Sequence, residues 1–346
     1  MGQEHVMRTL QGALVSGRVG HAYLFCGPRG TGKTTTARLL SKSLNCEKRQ
    51  LSIGKFEPCN SCHSCMEINQ GRSMDLIEID AASNRGIDEI RNIKESASVA
   101  ASSSIHKIFL IDEVHMLTPP AFNALLKVLE EPPAHVVFVL ATTEAHKIPE
   151  TVLSRVQRLD FKNLNKQQIT EKLLGIAKKE KILIDDDALA DLVSSASGSL
   201  RDAESSFNKV IAYSDNIKRI SAKEVSEILG IVPTQIIESI TEFIIAKNPQ
   251  AAIAKVNELN EAGVNLNQFL KQFINYLRNR LISNTALGTQ PVFVSVSVSR
   301  TGVSVESQEF LIKALKIFIN AARETKSSPV PQLPIELAIF ELTNIF

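Results

Sequence analysis

A glycine-rich stretch near the N-terminus has the residue types that bind phosphate. Residues 22–26 form a short apolar run, and the sequence from 27 to 34 reads Gly-Pro-Arg-Gly-Thr-Gly-Lys-Thr. Glycines let the backbone curl so that successive N–H groups point at phosphate oxygens, and a helix that follows adds positive potential at its N-terminus. A strand before the loop and a helix over Thr35–Leu44 complete this pattern. We predict a triphosphate site formed by Gly27, Pro28, Arg29, Gly30, Thr31, Gly32, Lys33, Thr34 and Thr35.

An acidic pair completes the chemistry of a nucleotide site. Asp112 and Glu113 follow the apolar run at 107–111, as expected at the end of a buried parallel strand. In such sites the loop lysine, here Lys33, reaches the β- and γ-phosphates, and the hydroxyl of Thr34 ligates Mg²⁺. We assign Asp112 to the same Mg²⁺ and Glu113 to the activation of an attacking water. An acidic strand end alone would indicate only a cap.

Two adjacent threonines end the next apolar run, at 136–141. A hydroxyl of Thr142 or Thr143 could hydrogen-bond the γ-phosphate or the attacking water. The other interpretation is that β-branched residues simply close a strand. The residues themselves leave both interpretations open.

Four of the five cysteines cluster between positions 46 and 65, with two successive two-residue gaps. Cys46, Cys59, Cys62 and Cys65 can form a closed, tetrahedral structural Zn²⁺ site, and such a site suits a reducing compartment. His63 lies between the ligands and competes with Cys46 for the fourth position, which we assign to Cys46. Cys26, in the strand before the glycine-rich loop, is predicted to be a small core residue.

Composition limits the classes of protein that remain. The 346 residues suffice for two or three domains, and a net charge of +2 means that a nucleic-acid partner would be met by a local basic patch. Zero Trp and three Tyr argue against an aromatic stacking platform for single strands. No apolar run approaches 18 residues and no secretory leader is visible, so we expect a cytoplasmic protein without a membrane span.

Strand-like and helix-like segments alternate up to about residue 162, which predicts an α/β core with a parallel sheet wound by helices on both faces. Later residues are predominantly helical. We predict a core at 1–162 with the cysteine-bearing insertion at 45–74, a helical domain at 163–230 and a second helical domain at 231–346. The alternating stretch at 285–307 is predicted to be a hairpin or an irregular loop.

Two arginines have no role that the residues alone assign. Arg155 is predicted to lie on a helix that leaves the sheet, and Arg201 to open a helix in the second region. An isolated arginine is usually solvated or paired with a nearby carboxylate.

Six further short motifs follow one another along the chain. The sequences at 80–84, 111–117, 123–133, 141–144, 153–155 and 198–203 are DAASN, IDEVHML, NALLKVLEEPP, ATTE, LSR and GSLRDA. Together with the phosphate loop and the four cysteines, they closely resemble the gamma/tau family of bacterial DNA polymerase III subunits, the ATPases of the sliding-clamp loader. The resemblance is dense from residue 2 to about 205 and only architectural beyond 230.

The resemblance implies an AAA+ ATPase core, a helical lid and a helical collar. It implies ATP with Mg²⁺, and a pentameric ring with delta- and delta-prime-like subunits that acts on the sliding clamp and on primer–template DNA. It makes Thr143 the first sensor, Arg155 an arginine finger that acts on the ATP of a neighbouring subunit, and Arg201 the second sensor. Arg91 and Lys94 are candidate contacts to DNA phosphates, or solvated helix charges.

This sequence departs from the family pattern at two places. Members usually carry a basic, aromatic-containing segment before the position of Gly2; either the module is truncated here or adenine is held more loosely. Ser154-Arg155-Val156 replaces the usual Ser-Arg-Cys and keeps the arginine. We expect the shorter, gamma-like form of an ATP-driven clamp-loader subunit of the polymerase III holoenzyme. The alternatives are another AAA+ DNA-remodelling ATPase or a non-hydrolysing stator.

Overall fold

The structure is a computed structural model that describes residues 2–48, 50–52, 55–213, 219–285 and 308–345. Its contacts divide the chain into two compact units. The first contains residues up to 183 together with 192–208, and the second contains 184–191 together with 209–346. The predicted hairpin or loop at 285–307 lies outside the described residues, apart from Thr285 at a helix end.

Strands and helices alternate through the first part of the chain, and the second part is mostly helical. The strands are β1 (Ala22–Cys26), β2 (Gln50–Ser52), β3 (Lys55–Glu57), β4 (Leu76–Asp80), β5 (Lys107–Asp112), β6 (Val136–Thr142), β7 (Gln157–Asp160), β8 (Leu183–Ile184) and β9 (Arg219–Ile220). The helices are α1 (Glu4–Ser16), α2 (Lys33–Asn45), α3 (His63–Asn69), α4 (Ile87–Ser98), α5 (Pro119–Glu130), α6 (Glu150–Leu153), α7 (Lys166–Glu180), α8 (Asp186–Ser195), α9 (Leu200–Tyr213), α10 (Ala222–Leu229), α11 (Thr234–Ile245), α12 (Pro249–Glu261), α13 (Leu266–Thr285), α14 (Gln308–Glu324) and α15 (Leu333–Ile345).

The first unit is built on a five-stranded parallel sheet with the order β4-β5-β6-β1-β7. Strand β1 pairs with β6 on one side and β7 on the other, so that Cys26 lies opposite Thr142 and Asp160. Because parallel strands end at the same edge, the loops after β1, β5 and β6 meet there. The predicted α/β core is confirmed.

Strand β7 is the one strand of this sheet that the sequence pattern did not predict. Its residues read Gln-Arg-Leu-Asp, and only Leu159 is buried, because β7 is an edge strand. One buried position in four gives no alternation to detect. Arg155 therefore lies in the turn between α6 and β7, and the prediction of a helix at this residue was wrong.

Alternate side chains of the central strands enter two separate cores. Phe109, Ile111 and Phe138 pack on the face that carries α4 and α5, and the rings of Phe109 and Phe138 stack with their centroids 5.3 Å apart. Phe25 and Leu110 point to the opposite face, against α1 and α2. Burial on both faces explains why these strands are continuously apolar.

The second unit has its own hydrophobic core, formed by Val232 and by residues of α11 to α15. Phe269, Phe273 and Phe318 are each 1% exposed, and the rings of Phe273 and Phe318 approach to 4.6 Å between centroids. Among the described helices, none is by itself long and apolar enough to cross a bilayer; only α10 and α11 reach that length and hydropathy jointly, across a bend of 65°.

Candidate nucleotide and metal sites

The phosphate loop links the end of β1 to the start of α2, and its fold requires glycine. Gly27 has φ +149°, and a Cβ there would lie 2.3 Å from the carbonyl oxygen of Phe161. Such an approach is closed to any residue with a side chain. Thr31 braces the loop from inside, because its hydroxyl donates to the carbonyl of Pro28 at 2.8 Å.

The loop presents donors without internal partners. In the part of the chain that the structure describes, no hydrogen bond uses the N–H groups of Gly30, Gly32, Lys33 or Thr34. The last three lie at the start of α2, where the helix dipole adds positive potential. Four N–H donors at a helix N-terminus form an anion site.

Lys33 is only 7% exposed, and its Nζ donates to the carbonyls of Gly27 and Pro28 at 2.7 and 2.9 Å. Burial lowers the pKa of this ammonium, while the carboxylates of Glu113 and Asp112 act to raise it. The lysine thus lies inside the loop, facing the two acidic residues that the sequence singled out.

Asp112 and Glu113 meet the loop and the end of β6. The hydroxyl of Thr34 donates to Asp112 Oδ2 at 2.8 Å, so the two predicted Mg²⁺ ligands are in contact. The hydroxyl of Thr143 donates to Glu113 Oε2 at 3.0 Å, and the Thr143 N–H approaches the same oxygen at 3.3 Å. The buried hydroxyl of Thr142 has a different partner, because it lies 3.0 Å from Nδ1 of His115.

Two residues of this region were missed at the sequence level. His115, with a 6% exposed side chain, lies 3.4 Å from Glu113 and 3.6 Å from Glu144, so it connects both acids with Thr142. Gln3 is 5% exposed and binds Lys162 from both ends of its amide, at 2.7 and 3.1 Å. His115 stands in the IDEVHML motif, which was a signal; a single Gln at the start of a helix gives none.

Helix α9 begins against the phosphate loop, and Arg201 lies in its first turn. The N–H of Leu200 donates to the carbonyl of Gly30 at 3.1 Å. A Cβ built on Gly30 would lie 2.1 Å from Oγ of Ser199 and 3.2 Å from Cβ of Arg201. Arg201 is exposed, so the structure brings this cation beside the predicted triphosphate site, as the sequence predicted for a helix start.

Arg155 lies at the other end of β1. The ring Nε2 of His21, the residue before β1, is 3.1 Å from the carbonyl oxygen of Arg155. Gly27, where the phosphate loop begins, follows His21 by six positions. An extended chain rises about 3.3 Å per residue, so His21, and with it Arg155, lies about 20 Å from the loop. The structure does not bring Arg155 to the phosphate loop of its own chain.

The four cysteines converge in the insertion, which contains the hairpin of β2 and β3 followed by α3. Their sulfur atoms all lie within 4.8 Å of one another. A tetrahedral Zn²⁺ with Zn–S bonds of about 2.3 Å requires sulfur atoms about 3.8 Å apart, so the cluster fits zinc. His63 lies outside the cluster, exposed and 3.5 Å from Glu67.

Hydrogen bonds to sulfur support the use of these cysteines as thiolate ligands. The N–H groups of Ser61 and Cys62 approach Sγ of Cys59 at 3.4 and 3.2 Å, and they help to lower its pKa to about 6. The N–H of Cys59 approaches Sγ of Cys46 at 3.3 Å. Cys46, Cys62 and Cys65 are almost fully buried, which suits a structural site.

Comparison with known proteins agrees with this architecture. Three family models match successive parts of the chain: "DNA polymerase III, delta subunit" over residues 2–165, "DNA polymerase III clamp loader subunit, ATPase lid domain" over 168–216, and "DNA polymerase III subunits gamma and tau domain III" over 220–346. DNA polymerase III subunit gamma of Buchnera aphidicola from Acyrthosiphon pisum is 33% identical, over 99% of this chain and 94% of its own. The chain belongs to the DNA polymerase III gamma/tau family.

Longer members of the gamma/tau family are also similar. Subunit tau of Bacillus subtilis is 39% identical over 99% of this chain, and subunit tau of Escherichia coli is 37% identical over 98%. The chain spans only 60% and 52% of these two relatives. A RuvB point mutant from Thermotoga maritima, 18% identical, shares the fold with a TM-score of 0.50, covering 79% of this chain and 88% of that one. This likeness concerns the fold alone, and it agrees with the parallel α/β architecture of the first unit.

Proposed function

We propose that this gamma/tau family member is an ATPase subunit of a sliding-clamp loader. ATP binding would favour an assembly that opens the clamp and grips primer–template DNA, and hydrolysis would release both. The proposal rests on one observation. A phosphate loop, an acidic pair and Thr143 meet at the C-terminal ends of the strands, while Arg155 lies about 20 Å away, beside the N-terminal end of β1.

The residues at the C-terminal ends of the strands divide the chemistry among them. The N–H groups of Gly30, Gly32, Lys33 and Thr34 and the ammonium of Lys33 would hold the phosphates. Thr34 and Asp112 would hold Mg²⁺, whose charge would stabilise the negative charge on the phosphate oxygens. Glu113, already oriented by Thr143, accepts a proton from the attacking water. Arg201, at the start of α9, reports from the lid whether nucleotide is present.

The position of Arg155 supports a role on a neighbouring subunit. Its own phosphate loop is far beyond the reach of an arginine side chain, but the residue borders an open cavity of about 530 Å³ at the surface of the sheet edge. In a ring, the ATP of the next subunit would meet this arginine. An arginine finger supplied by another chain makes hydrolysis depend on assembly.

We further propose that the four cysteines hold structural Zn²⁺, and that the partners are delta- and delta-prime-like subunits in a pentameric ring. All four thiols are needed to close the zinc site, and no open ligand position remains for catalysis. The complex would hold DNA by its phosphate backbone, so the affinity of the complex for DNA should fall steeply as the salt concentration rises.

The decisive experiment measures ATP turnover by the chain alone and then with delta- and delta-prime-like subunits, sliding clamp and primed DNA. We expect turnover to rise with assembly and to be lost in Lys33→Ala. Arg155→Ala should lower turnover of the assembled complex by about 10³- to 10⁵-fold and leave ATP binding by the isolated chain unchanged.

The same experiment separates the rival functions. No turnover in the complete assembly would indicate a non-hydrolysing stator. Turnover stimulated by DNA but indifferent to the clamp would indicate another AAA+ DNA-remodelling motor. Full activity of an isolated, monomeric chain would contradict a site shared between subunits.

A further inference from the structure

The guanidinium of Arg155 is held in place by its own chain. Nη2 donates to Oε1 of Glu130 at 2.7 Å, and Nη1 donates to the carbonyl of Thr151 at 2.7 Å and to Oγ of Ser154 at 3.1 Å. These acceptors belong to two elements, the end of α5 and the α6 segment. The arginine side chain is therefore fixed against the scaffold, although it is 34% exposed.

This arrangement leaves part of the guanidinium available to an anion. An arginine has five N–H donors, and the three hydrogen bonds above use three of them. With respect to the described residues, two donors therefore remain for a phosphate. The cavity that Arg155 and Glu130 border gives access from solvent. An incoming triphosphate thus requires no exchange of the existing partners.

Glu130 occupies a position that local helix physics disfavours. It is the last residue of α5, where the helix dipole favours a cation and repels a carboxylate. An ion pair with both partners partly exposed also adds little to stability. Neither the helix dipole nor the stability of the ion pair explains a carboxylate at this position. Orientation of the Arg155 guanidinium by Glu130 does explain it.

We propose that Glu130 is a positioning residue for the trans-acting arginine. Its carboxylate sets the direction in which Arg155 presents its two remaining donors to the ATP of the neighbouring subunit. The inference rests on the proposed function, because it requires Arg155 to act on that ATP. A misplacement of about 1 Å at such a group can lower a rate by about 10²-fold.

Five variants test the inference, each measured in the complex with partner subunits, clamp and primed DNA: Glu130→Ala, Glu130→Gln, Glu131→Ala, Arg155→Ala and the double variant Glu130→Ala/Arg155→Ala. We expect Glu130→Ala to lower kcat by about 10²-fold. Glu130→Gln keeps an oxygen acceptor for Nη2 and should retain most of the activity. Glu131 is the matched control, since it is the adjacent exposed carboxylate and makes no ion pair among the described residues; its variant should stay within about twofold of wild type.

Two further readouts distinguish positioning from damage to the fold. The Kd for ATP of the isolated Glu130→Ala chain should match wild type, because its own phosphate loop is about 20 Å away. Adding Glu130→Ala to Arg155→Ala should lower kcat no further, because residues that act as one unit are not additive.

The outcomes separate this inference from the proposed function. Wild-type turnover in Arg155→Ala would overturn the proposed role of the arginine itself. A large loss in Arg155→Ala with wild-type kcat in Glu130→Ala would overturn only the role of Glu130. A further loss of the same factor in the double variant would also overturn it, because Glu130 would then act without Arg155.

Discussion

Glu113 combines an unfavourable backbone with a well-held side chain. Its φ is +48°, a left-handed conformation that costs an ordinary residue about 1–2 kcal/mol. The surroundings enforce it: Glu113 N–H donates to Oδ1 of Asp112 at 2.9 Å, and the carboxylate receives the hydroxyl of Thr143 at 3.0 Å. Strain of this kind persists where neighbouring groups determine the geometry, and such positions cluster at functional sites.

The hydroxyl of Thr143 holds the carboxylate of Glu113. Thr143→Val keeps the branched shape but removes the hydroxyl that orients Glu113, so we expect kcat of the assembled complex to fall by about 10²-fold. Thr143→Ser keeps the hydroxyl and should remain within about tenfold of wild type. Single-turnover hydrolysis measures both. Because ATP binding uses the phosphate loop, the Kd for ATP should stay within about twofold; undiminished turnover in Thr143→Val would contradict the role of this hydroxyl.

Residue types fix the chemistry of the site better than they fix its geometry. The phosphate loop, Asp112, Glu113 and the cysteines were predicted because each chemistry demands those types at that spacing, and the structure brings the predicted groups into contact. The local pattern could not separate Thr142 from Thr143, since both are β-branched residues at a strand end. The family resemblance favoured Thr143, and in the structure the two hydroxyls have different partners, His115 for Thr142 and Glu113 for Thr143.

At the scale of elements, strongly patterned segments were predictable. Strands β1, β5 and β6 and helix α2 follow the sequence prediction to within a residue or two. Burial on both faces makes a strand a continuous apolar run, and burial of one stripe gives a helix its period. The edge strand β7 escaped detection, since one buried leucine in four residues imposes none. Arg155 was predicted to lie on a helix, but it lies in the turn that precedes this undetected strand.

The cysteine insertion is built from very short elements. Its hairpin strands have three residues each and α3 has seven, so these elements cannot fold stably without a cross-link or metal. We expect one Zn²⁺ per chain by elemental analysis, and loss of the metal in Cys65→Ser. Chelation should make the insertion sensitive to limited proteolysis while the sheet stays folded.

The pH dependence of zinc binding has a defined sign. Thiols must lose their protons to bind the metal, so affinity should fall as pH is lowered. Hydrogen bonds from the N–H groups of Ser61 and Cys62 help to lower the pKa of Cys59 to about 6, so its thiol is largely deprotonated at neutral pH. Burial raises the pKa of Cys46 and raises that of Cys65 to about 12, so zinc must displace protons from these thiols. An insertion that stays resistant to protease in preparations without zinc would contradict the structural role of the metal.

On the scale of the whole molecule, the two units have separate hydrophobic cores, and this predicts separate responses to core mutation. Phe273 is 1% exposed in the core of the second unit and packs on Phe269 and Phe318. Phe273→Ala should destabilise that unit by about 3–5 kcal/mol. Phe138→Ala is the matched change in the first unit, where the ring is 0% exposed.

Calorimetry would measure both variants. We expect Phe273→Ala to lower a transition that Phe138→Ala leaves in place, and the reverse for Phe138→Ala. ATP should raise the transition of the first unit alone, because a ligand stabilises the part that binds it. A single transition that both variants lower equally would show that the two units unfold as one.

Strand β1 is only five residues long, yet it joins the two halves of the proposed chemistry: the loop that receives phosphate follows it, and the turn of Arg155 lies beside its start. A row of such chains therefore has a direction, because the phosphate loop and Arg155 lie at opposite ends of β1. In a row of chains that does not close into a ring, the chain at one end has a phosphate loop that no neighbour's arginine reaches. The chain at the other end has an Arg155 that reaches no neighbour's ATP. A subunit that lacks one of these two functions could occupy such an end without loss.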